Sequence, residues 1–237
     1  MKGWQLSQLR LVRSAQTQDE AFVALLPEVQ ALGFEYCSFG MKSPVPLAAP
    51  RVVWCSNYPP AWQARYVEQG YLNSDPIVQR GLMSDEAFLW TDELFASNPQ
   101  LYAEAQSFGL RYAWCQPRRD MRGMSSLFSV VRGGPALEAE ELAAKIERLQ
   151  WLSYLCHEAM AKVWVKELQG DLELGLSERE LEVLRWTCDG KTSSETAQIM
   201  GVAEATVNFH TRNACSKLGA SNKTAAAVRA AVLGLFH

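Results

Sequence analysis

The residues from Ser193 to Arg212, SSETAQIMGVAEATVNFHTR, constrain this chain more than any other stretch. Ala197 is small where two helices must approach closely. Gly201, four residues on, takes a left-handed turn conformation at little cost. Val207, six further, is a β-branched anchor that buries a second helix against the first. Thr196, Ile199, Met200 and Val202 add cover at helical spacing. A small residue, a turn glycine and an apolar anchor at these offsets describe a helix-turn-helix, although an antiparallel helix pair in a core shares part of the pattern.

Charge is distributed in a way that suits this reading. The chain has 237 residues, enough for two domains, and a net charge of −3. Residues 176–237 carry seven Lys/Arg and six Asp/Glu, and residues 1–175 carry sixteen and twenty. All six C-terminal acids lie at or before Glu204, whereas Arg212, Lys217, Lys223 and Arg229 follow it. A small basic surface on an acidic protein favours specific docking on DNA over indiscriminate polyanion binding.

Several function classes fall away. The six cysteines are scattered without a Cys-x-x-Cys pair, and there are three histidines. No metal, no cofactor and no catalytic site is expected. The cysteines read as reduced core thiols. Neither a leader pattern nor an apolar run of the ~20 residues a membrane span needs is visible, so a cytoplasmic protein is expected.

Along the chain, Trp4–Val12 is loosely helical in pattern. A helix is expected from Thr17, with Glu20 at capping-box spacing, to Gly33, kinked by Pro27. Phe34–Met41 and Arg51–Ser56 read as strands around a proline-rich loop. Pro59-Pro60 opens a helix, Asn73-Ser-Asp-Pro a second, and Phe88–Trp90 is a short strand. A helix near Gln100–Phe108 precedes an antiparallel strand pair, Arg111–Pro117 and Ser125–Val131. A long helix follows over Glu138–Lys166.

The fold class is therefore α+β. Residues 1–166 form an α-β-α sandwich around an antiparallel sheet, 167–175 a linker, and 176–237 an all-α helix-turn-helix domain. Its four helices are placed at Ser177–Asp189, Ser193–Met200, Glu204–Leu218 and Lys223–Leu235. Helical period then divides the third of them. Val207, His210, Ala214 and Leu218 face the domain, and Ala205, Asn208, Phe209, Arg212 and Ser216 face away. Asn208 suits adenine, Arg212 guanine and Phe209 a thymine methyl, while Thr206, Lys217 and Lys191 are placed for phosphates. The alternative for each polar one is a solvated side chain, whereas an aromatic on the outward face, Phe209, favours the contact.

Here a resemblance becomes specific. Leu176–Thr187 (LSERELEVLRWT), Gly190-Lys-Thr, Glu195, Ala197, Thr206–His210 (TVNFH), Asn213 and Lys217-Leu218 are similar to the LuxR-type DNA-binding domain. The resemblance implies that Asn208, Phe209 and Arg212 face a major groove. Two departures stand out: Ala203 occupies a position that is Ser in many members, and Asn208 one that is often Lys.

In the N-terminal part, Tyr58, Trp62, Tyr66, Asp75, Pro76 and Trp90 gather aromatics around one acid. A buried Asp needs donors, Trp62 offers an indole N–H to a carbonyl, and Tyr58 and Ser129 offer hydroxyls. On residues alone, aromatic core and an Asp75 helix cap explain the set as well. The run SNYPPAWQARYVEQGY, then SDPIV and FLW, resembles the acyl-homoserine-lactone-binding domain of LuxR-type quorum-sensing receptors. That resemblance implies that Trp62 meets the lactone carbonyl and Asp75 the ligand amide N–H. It puts Tyr58 and Ser129 on the acyl carbonyl, Trp90 against the lactone ring and Tyr66 beside the chain, with Ser38 and Ser56 lining the pocket or meeting a 3-oxo group.

The expectation is a non-enzymatic, ligand-responsive transcription regulator. It binds an N-acyl-homoserine lactone and, as a homodimer, an inverted repeat in double-stranded DNA, without a membrane. The alternative is a regulator sensing another small molecule or a protein partner. A phospho-accepting response regulator lacks its early strand-end Asp here, and an enzyme acting on a lactone lacks a visible nucleophile–His pair.

Overall fold

The computed structural model describes residues 5, 15, 17–121, 123–169 and 175–236. The helical pattern over Trp4–Val12 lies almost wholly outside them. The chain divides into two compact units. One comprises Met1–Lys42, Val52–Arg119 and Met124–Leu168, and the other Ser43–Arg51, Asp120–Gly123 and Gln169–His237. Among the described residues no helix is long and apolar enough to cross a membrane.

In the first unit, α1 (Gln18–Ala31) has its N-terminus capped by the Thr17 hydroxyl. The helix continues through Pro27. Next come β1 (Tyr36–Lys42), β2 (Val52–Ser56), α2 (Pro60–Glu68), a 3-10 turn (Tyr71–Asn73) and α3 (Pro76–Met83). They are followed by β3 (Phe88–Leu89), a second 3-10 turn (Leu94–Ser97), α4 (Pro99–Ser107), β4 (Tyr112–Arg119), β5 (Ser125–Arg132) and α5 (Ala139–Gln169). Proline opens α2, α3 and α4, because the first helical position needs no N–H. The strand near Trp90 is shorter than expected, and α5 runs on through residues 167–169, into the stretch expected as linker. Neither 3-10 turn was expected.

The five strands form one antiparallel sheet in the order β2-β1-β5-β4-β3. Its pleat sends alternate residues to two separate cores. Cys37, Phe39 and Met41 of β1, Cys55 of β2, Trp114 of β4 and Phe128 and Val130 of β5 pack with α1 and α5. Phe39 stacks on Trp164 of α5, centroids 5.9 Å apart. Ala113, Cys115, Leu127 and Val131 pack on the opposite face, with Trp62, Tyr71, Ile77, Phe95 and Leu101. The sheet is thus sandwiched between helices, as the sequence led us to expect. Arg132, nearly buried at the end of β5, forms a bidentate pair with Glu141 of α5 at 2.7 Å on both arms.

The second unit contains α6 (Glu178–Cys188), α7 (Ser193–Met200), α8 (Glu204–Lys217) and α9 (Lys223–Val232). Reciprocal capping boxes start α6 (Ser177 with Glu180) and α7 (Thr192 with Glu195). Gly201 ends α7 at φ 65°, and an added side chain would meet nothing within 4 Å. The left-handed backbone, not lack of space, is what requires glycine there. Val183, Ala197 and Val207 form the small core joining α6, α7 and α8. Ile199, expected as cover, is 47% exposed instead, because it sits on the outer side of α7.

Ala203 occupies the N-cap of α8 and supplies no side-chain bond. Replacing it with Ser provides an acceptor for the orphan first-turn amides. Ala203→Ser is expected to stabilise the second unit by about 1 kcal/mol. Urea unfolding followed by a C-terminal probe such as Trp186 fluorescence checks this, and an unchanged midpoint contradicts it.

Candidate functional site

The sheet face that carries Ala113, Cys115 and Val131 builds the first candidate site. Strand register sets its floor. Ser56 lies opposite Ser38, Ser38 opposite Ser129, Ser129 opposite Cys115, and Cys115 opposite Phe88. A row of small polar side chains therefore crosses four strands from the β2 edge and ends at a phenylalanine on the fifth. Ser129 Oγ and Cys115 Sγ are 3.2 Å apart. Ser38 Oγ is 3.0 Å from the Tyr58 hydroxyl, which reaches the row from the loop after β2. Ser56 Oγ is buried with no hydrogen-bond partner.

Helices α2 and α3 supply the wall above this floor. Trp62 and Tyr66 lie one turn apart on α2, in edge contact at 5.8 Å. Trp62 is 4% exposed and also packs on Tyr71 and Phe108. Asp75 caps α3: its Oδ1 accepts from the Ile77 amide at 2.8 Å, and its Oδ2 accepts from the Tyr66 hydroxyl at 2.8 Å. Trp90 follows β3 and meets Phe95 edge-on at 5.3 Å. Its indole N–H lies toward the Cys115 thiol and makes no hydrogen bond of ordinary geometry.

Burial dominates the electrostatics here. It raises the Asp75 carboxyl above its ordinary range, and the bonds from Tyr66 and Ile77 only partly offset it. It also raises the Tyr58 and Tyr66 hydroxyls and pushes the Cys115 thiol up to about 12. Cys115 is therefore a neutral thiol, a weak hydrogen-bonding group rather than a nucleophile. The orphaned Trp90 indole and Ser56 hydroxyl call for polar partners, the Trp62 indole N–H suits a carbonyl, and the desolvated Asp75 carboxylate calls for a further donor. Such a cluster can hold a small molecule carrying an N–H and carbonyl groups.

All eight residues expected for the ligand are on one side of the sheet: Tyr58, Trp62, Tyr66, Asp75, Trp90, Ser129, Ser38 and Ser56. Sequence reasoning missed Tyr71, Phe108 and Cys115. Cys115 was legible only as a core thiol, since its place depends on pairing with Ser129. It also missed a Ser–His pair: Ser126 Oγ is 2.7 Å from His157 Nδ1. Both are buried on the α5 face of the sheet, so the pair ties α5 to β5 and is closed to substrate.

In the second unit, α8 is two-faced as the period suggested. Val207, Ala214 and Leu218 are buried and His210 half-buried, while Ala205, Asn208, Phe209, Arg212 and Ser216 are exposed. Phe209 is 52% exposed, with its ring edge-on to His210. Arg212 is exposed, its Nε bonded only to the Asn208 carbonyl at 3.4 Å. Thr206 and Lys191 are half-buried. Lys217 turns inward, to Glu180 Oε2 at 2.9 Å.

Comparison with known proteins agrees with both halves. Residues 17–160 match the autoinducer binding domain, and residues 174–230 match the luxR family of bacterial regulatory proteins. The chain belongs to the LuxR family of quorum-sensing transcription regulators. It is 39% identical to the transcriptional activator protein AnoR of Acinetobacter nosocomialis, over 99% of this chain and 100% of that one. It is similar to the crystal structure of Escherichia coli SdiA, with a TM-score of 0.85 and 31% identity over 99% of this chain and 98% of that one. SdiA in complex with octanoyl-rac-glycerol gives 0.84 and 32%, over 99% and 96%. The N-acylhomoserine lactone dependent factor CepR2 of Burkholderia cenocepacia gives 0.61 and 28%, over 68% of this chain and 98% of that one. These relatives are regulators, not enzymes, and this chain is a transcription regulator with an autoinducer-binding domain.

The raised Asp75 carboxyl makes its ionised form a cost to the folded state. The cost is absent below the unfolded value near ~4 and complete once pH exceeds the higher folded value. Asp75→Asn keeps an oxygen for the Ile77 amide and an NH2 group for Tyr66. Its stability relative to wild type is expected to rise with pH from about 4 upward and to level off only once pH exceeds the folded value. Urea unfolding across pH checks this, and a gap that shrinks as pH rises contradicts it.

Proposed function

We propose that this chain is a receptor for an N-acyl-homoserine lactone that binds inverted-repeat DNA as a homodimer in the cytoplasm. The single observation that carries the ligand reading is the buried Asp75 carboxylate beside Trp62 and Tyr66, above the Ser56–Ser38–Ser129 row. An amide N–H is the donor such a carboxylate lacks. The lactone carbonyl takes the Trp62 indole N–H, and the acyl carbonyl takes Tyr58 and Ser129. Trp90 covers the lactone ring, Tyr66 flanks the acyl chain, and Ser38 and Ser56 line the pocket. CepR2 is named for dependence on this ligand class, which supports the reading.

In this proposal residues 1–166 bind the ligand, 167–175 link, and 176–237 bind DNA. Asn208 reads adenine, Arg212 guanine and Phe209 a thymine methyl, with Thr206 and Lys191 on phosphates. Ligand burial completes the second core and favours pairing of two copies through α5 and α9, which sets two α8 helices toward successive major grooves.

One observation favours a second reading. SdiA holds an acylglycerol, and the hydroxyl row here offers partners to a glycerol head as well. An acylglycerol has no amide N–H for Asp75, so Asp75→Asn separates the two. On the first reading, an N-acyl-homoserine lactone raises the melting temperature of the wild-type chain, and the variant loses most of that shift while keeping its fold. The shift is expected to be several degrees at saturating lactone, as for about 2–4 kcal/mol of linkage. Octanoylglycerol raising both proteins equally, with lactones raising neither, supports the second reading. No shift with either class overturns both.

A further inference from the structure

Four cations follow Ala205: Arg212, Lys217, Lys223 and Arg229. By sequence they form one basic surface, but the structure divides them. Lys217 Nζ donates to Glu180 Oε2 at 2.9 Å and to the Gly175 carbonyl at 3.0 Å. Arg229 Nη1 donates to the Leu218 carbonyl at 2.6 Å and also to that of Gly219, at the C-terminal end of α8. Two of the four are thus engaged by the unit's own acceptors.

Glu180 is the centre of the Lys217 arrangement. It is 3% exposed. The oxygen that receives Lys217 also receives the Ser177 amide at 2.7 Å, while the Ser177 hydroxyl accepts from the Glu180 amide at 3.3 Å. One carboxylate oxygen therefore joins the N-cap of α6 to the last residue of α8, and the same ammonium reaches the chain just before α6. Burial acts to raise the Glu180 carboxyl, but the Lys217 and Ser177 bonds outweigh it and hold it below its ordinary value. Turning Lys217 out to a phosphate would leave this carboxylate charged, buried and without its cation, which is the costly way to break such a pair.

We infer that Lys217 is a positioning residue and not a phosphate contact: with Glu180 it locks the end of α8 to the start of α6 and so sets how the outward face of α8 is presented. The inference rests on the DNA-binding reading above. It leaves the phosphate contacts to groups outside this pair, Lys191 among them.

The test uses the full chain and the duplex that wild type selects from a randomised pool, with affinity measured over a series of KCl concentrations. Lys217→Met is expected to weaken binding about tenfold or more. The slope of log affinity against log salt should stay at the wild-type value. Adding Glu180→Gln removes the stranded charge and keeps an acceptor for the Ser177 amide. The double variant should recover most of the lost affinity. A phosphate contact predicts the reverse: a slope shallower by about 0.9, and no recovery in the double variant. That result overturns the inference. If Lys217→Met does not fold, the slope of the double variant decides alone. If wild type selects no duplex, the DNA-binding reading fails. The pair is then judged by melting: a double variant more stable than Lys217→Met supports the lock, and one equally or less stable overturns it.

Discussion

A sheet buried on both faces has no neutral position for a side chain. The central strand β5 shows the constraint. Phe128 and Val130 enter the core built with α1 and α5, while Leu127 and Val131 enter the core built with α2 and α4. A slip of one residue would exchange the two sets and turn Ser129 into the aliphatic core. Ser38, Ser56 and Cys115 owe their alignment with Ser129 to the same register. The candidate site is thus a by-product of correct pairing, and its floor is as rigid as the sheet.

The second core differs from the first in what it tolerates. The first is closed by large apolar side chains, with polar ties at Ser126–His157 and at Trp164–Gln18. The second buries the Asp75 carboxylate, Tyr71 and Trp62, with Tyr58, Tyr66 and Trp90 partly buried against them, and it leaves the Ser56 hydroxyl and Trp90 indole without partners. Groups of this kind cost stability unless something satisfies them. Asp75 shows how structural and binding roles coincide. It caps α3 through one oxygen, which the helix needs, and bonds Tyr66 through the other. Helix cap and ligand acceptor were competing explanations from sequence. In the structure the cap is what holds the carboxylate still.

The helix-turn-helix unit rests on a different economy. Its helices are short, and its core falls into two clusters: Val183, Ala197 and Val207 join α6, α7 and α8, while Leu184, Ala214, Leu218, Ala226, Ala227 and Ala230 join α6, α8 and α9. Caps and terminal bonds add to this packing at the helix ends: two capping boxes, the left-handed Gly201 and the inward-turned Lys217 and Arg229. Holding α8 at its C-terminal end while leaving Asn208, Phe209 and Arg212 exposed gives a rigid face with free tips.

Much of this was legible in the sequence. Helix starts at Thr17, Pro60 and Ser177 follow from capping and proline chemistry, and the two faces of α8 follow from a period of 3.6. Each of these acts within about one helical turn, so residue spacing records it. The aromatic and acidic set was visible as residue types, and the LuxR resemblance gave its members ligand roles and added Ser38 and Ser56. What spacing could not record is anything closed by distant chain. The order β2-β1-β5-β4-β3, the polar row ending at Cys115, the Ser126–His157 pair and the capture of Lys217 by Glu180 each join segments far apart in sequence. Local pattern sets which side chains lie on which face of an element. Only tertiary pairing decides what those faces meet, because burial, desolvation and ion pairing belong to the packed pair and not to either strand or helix alone.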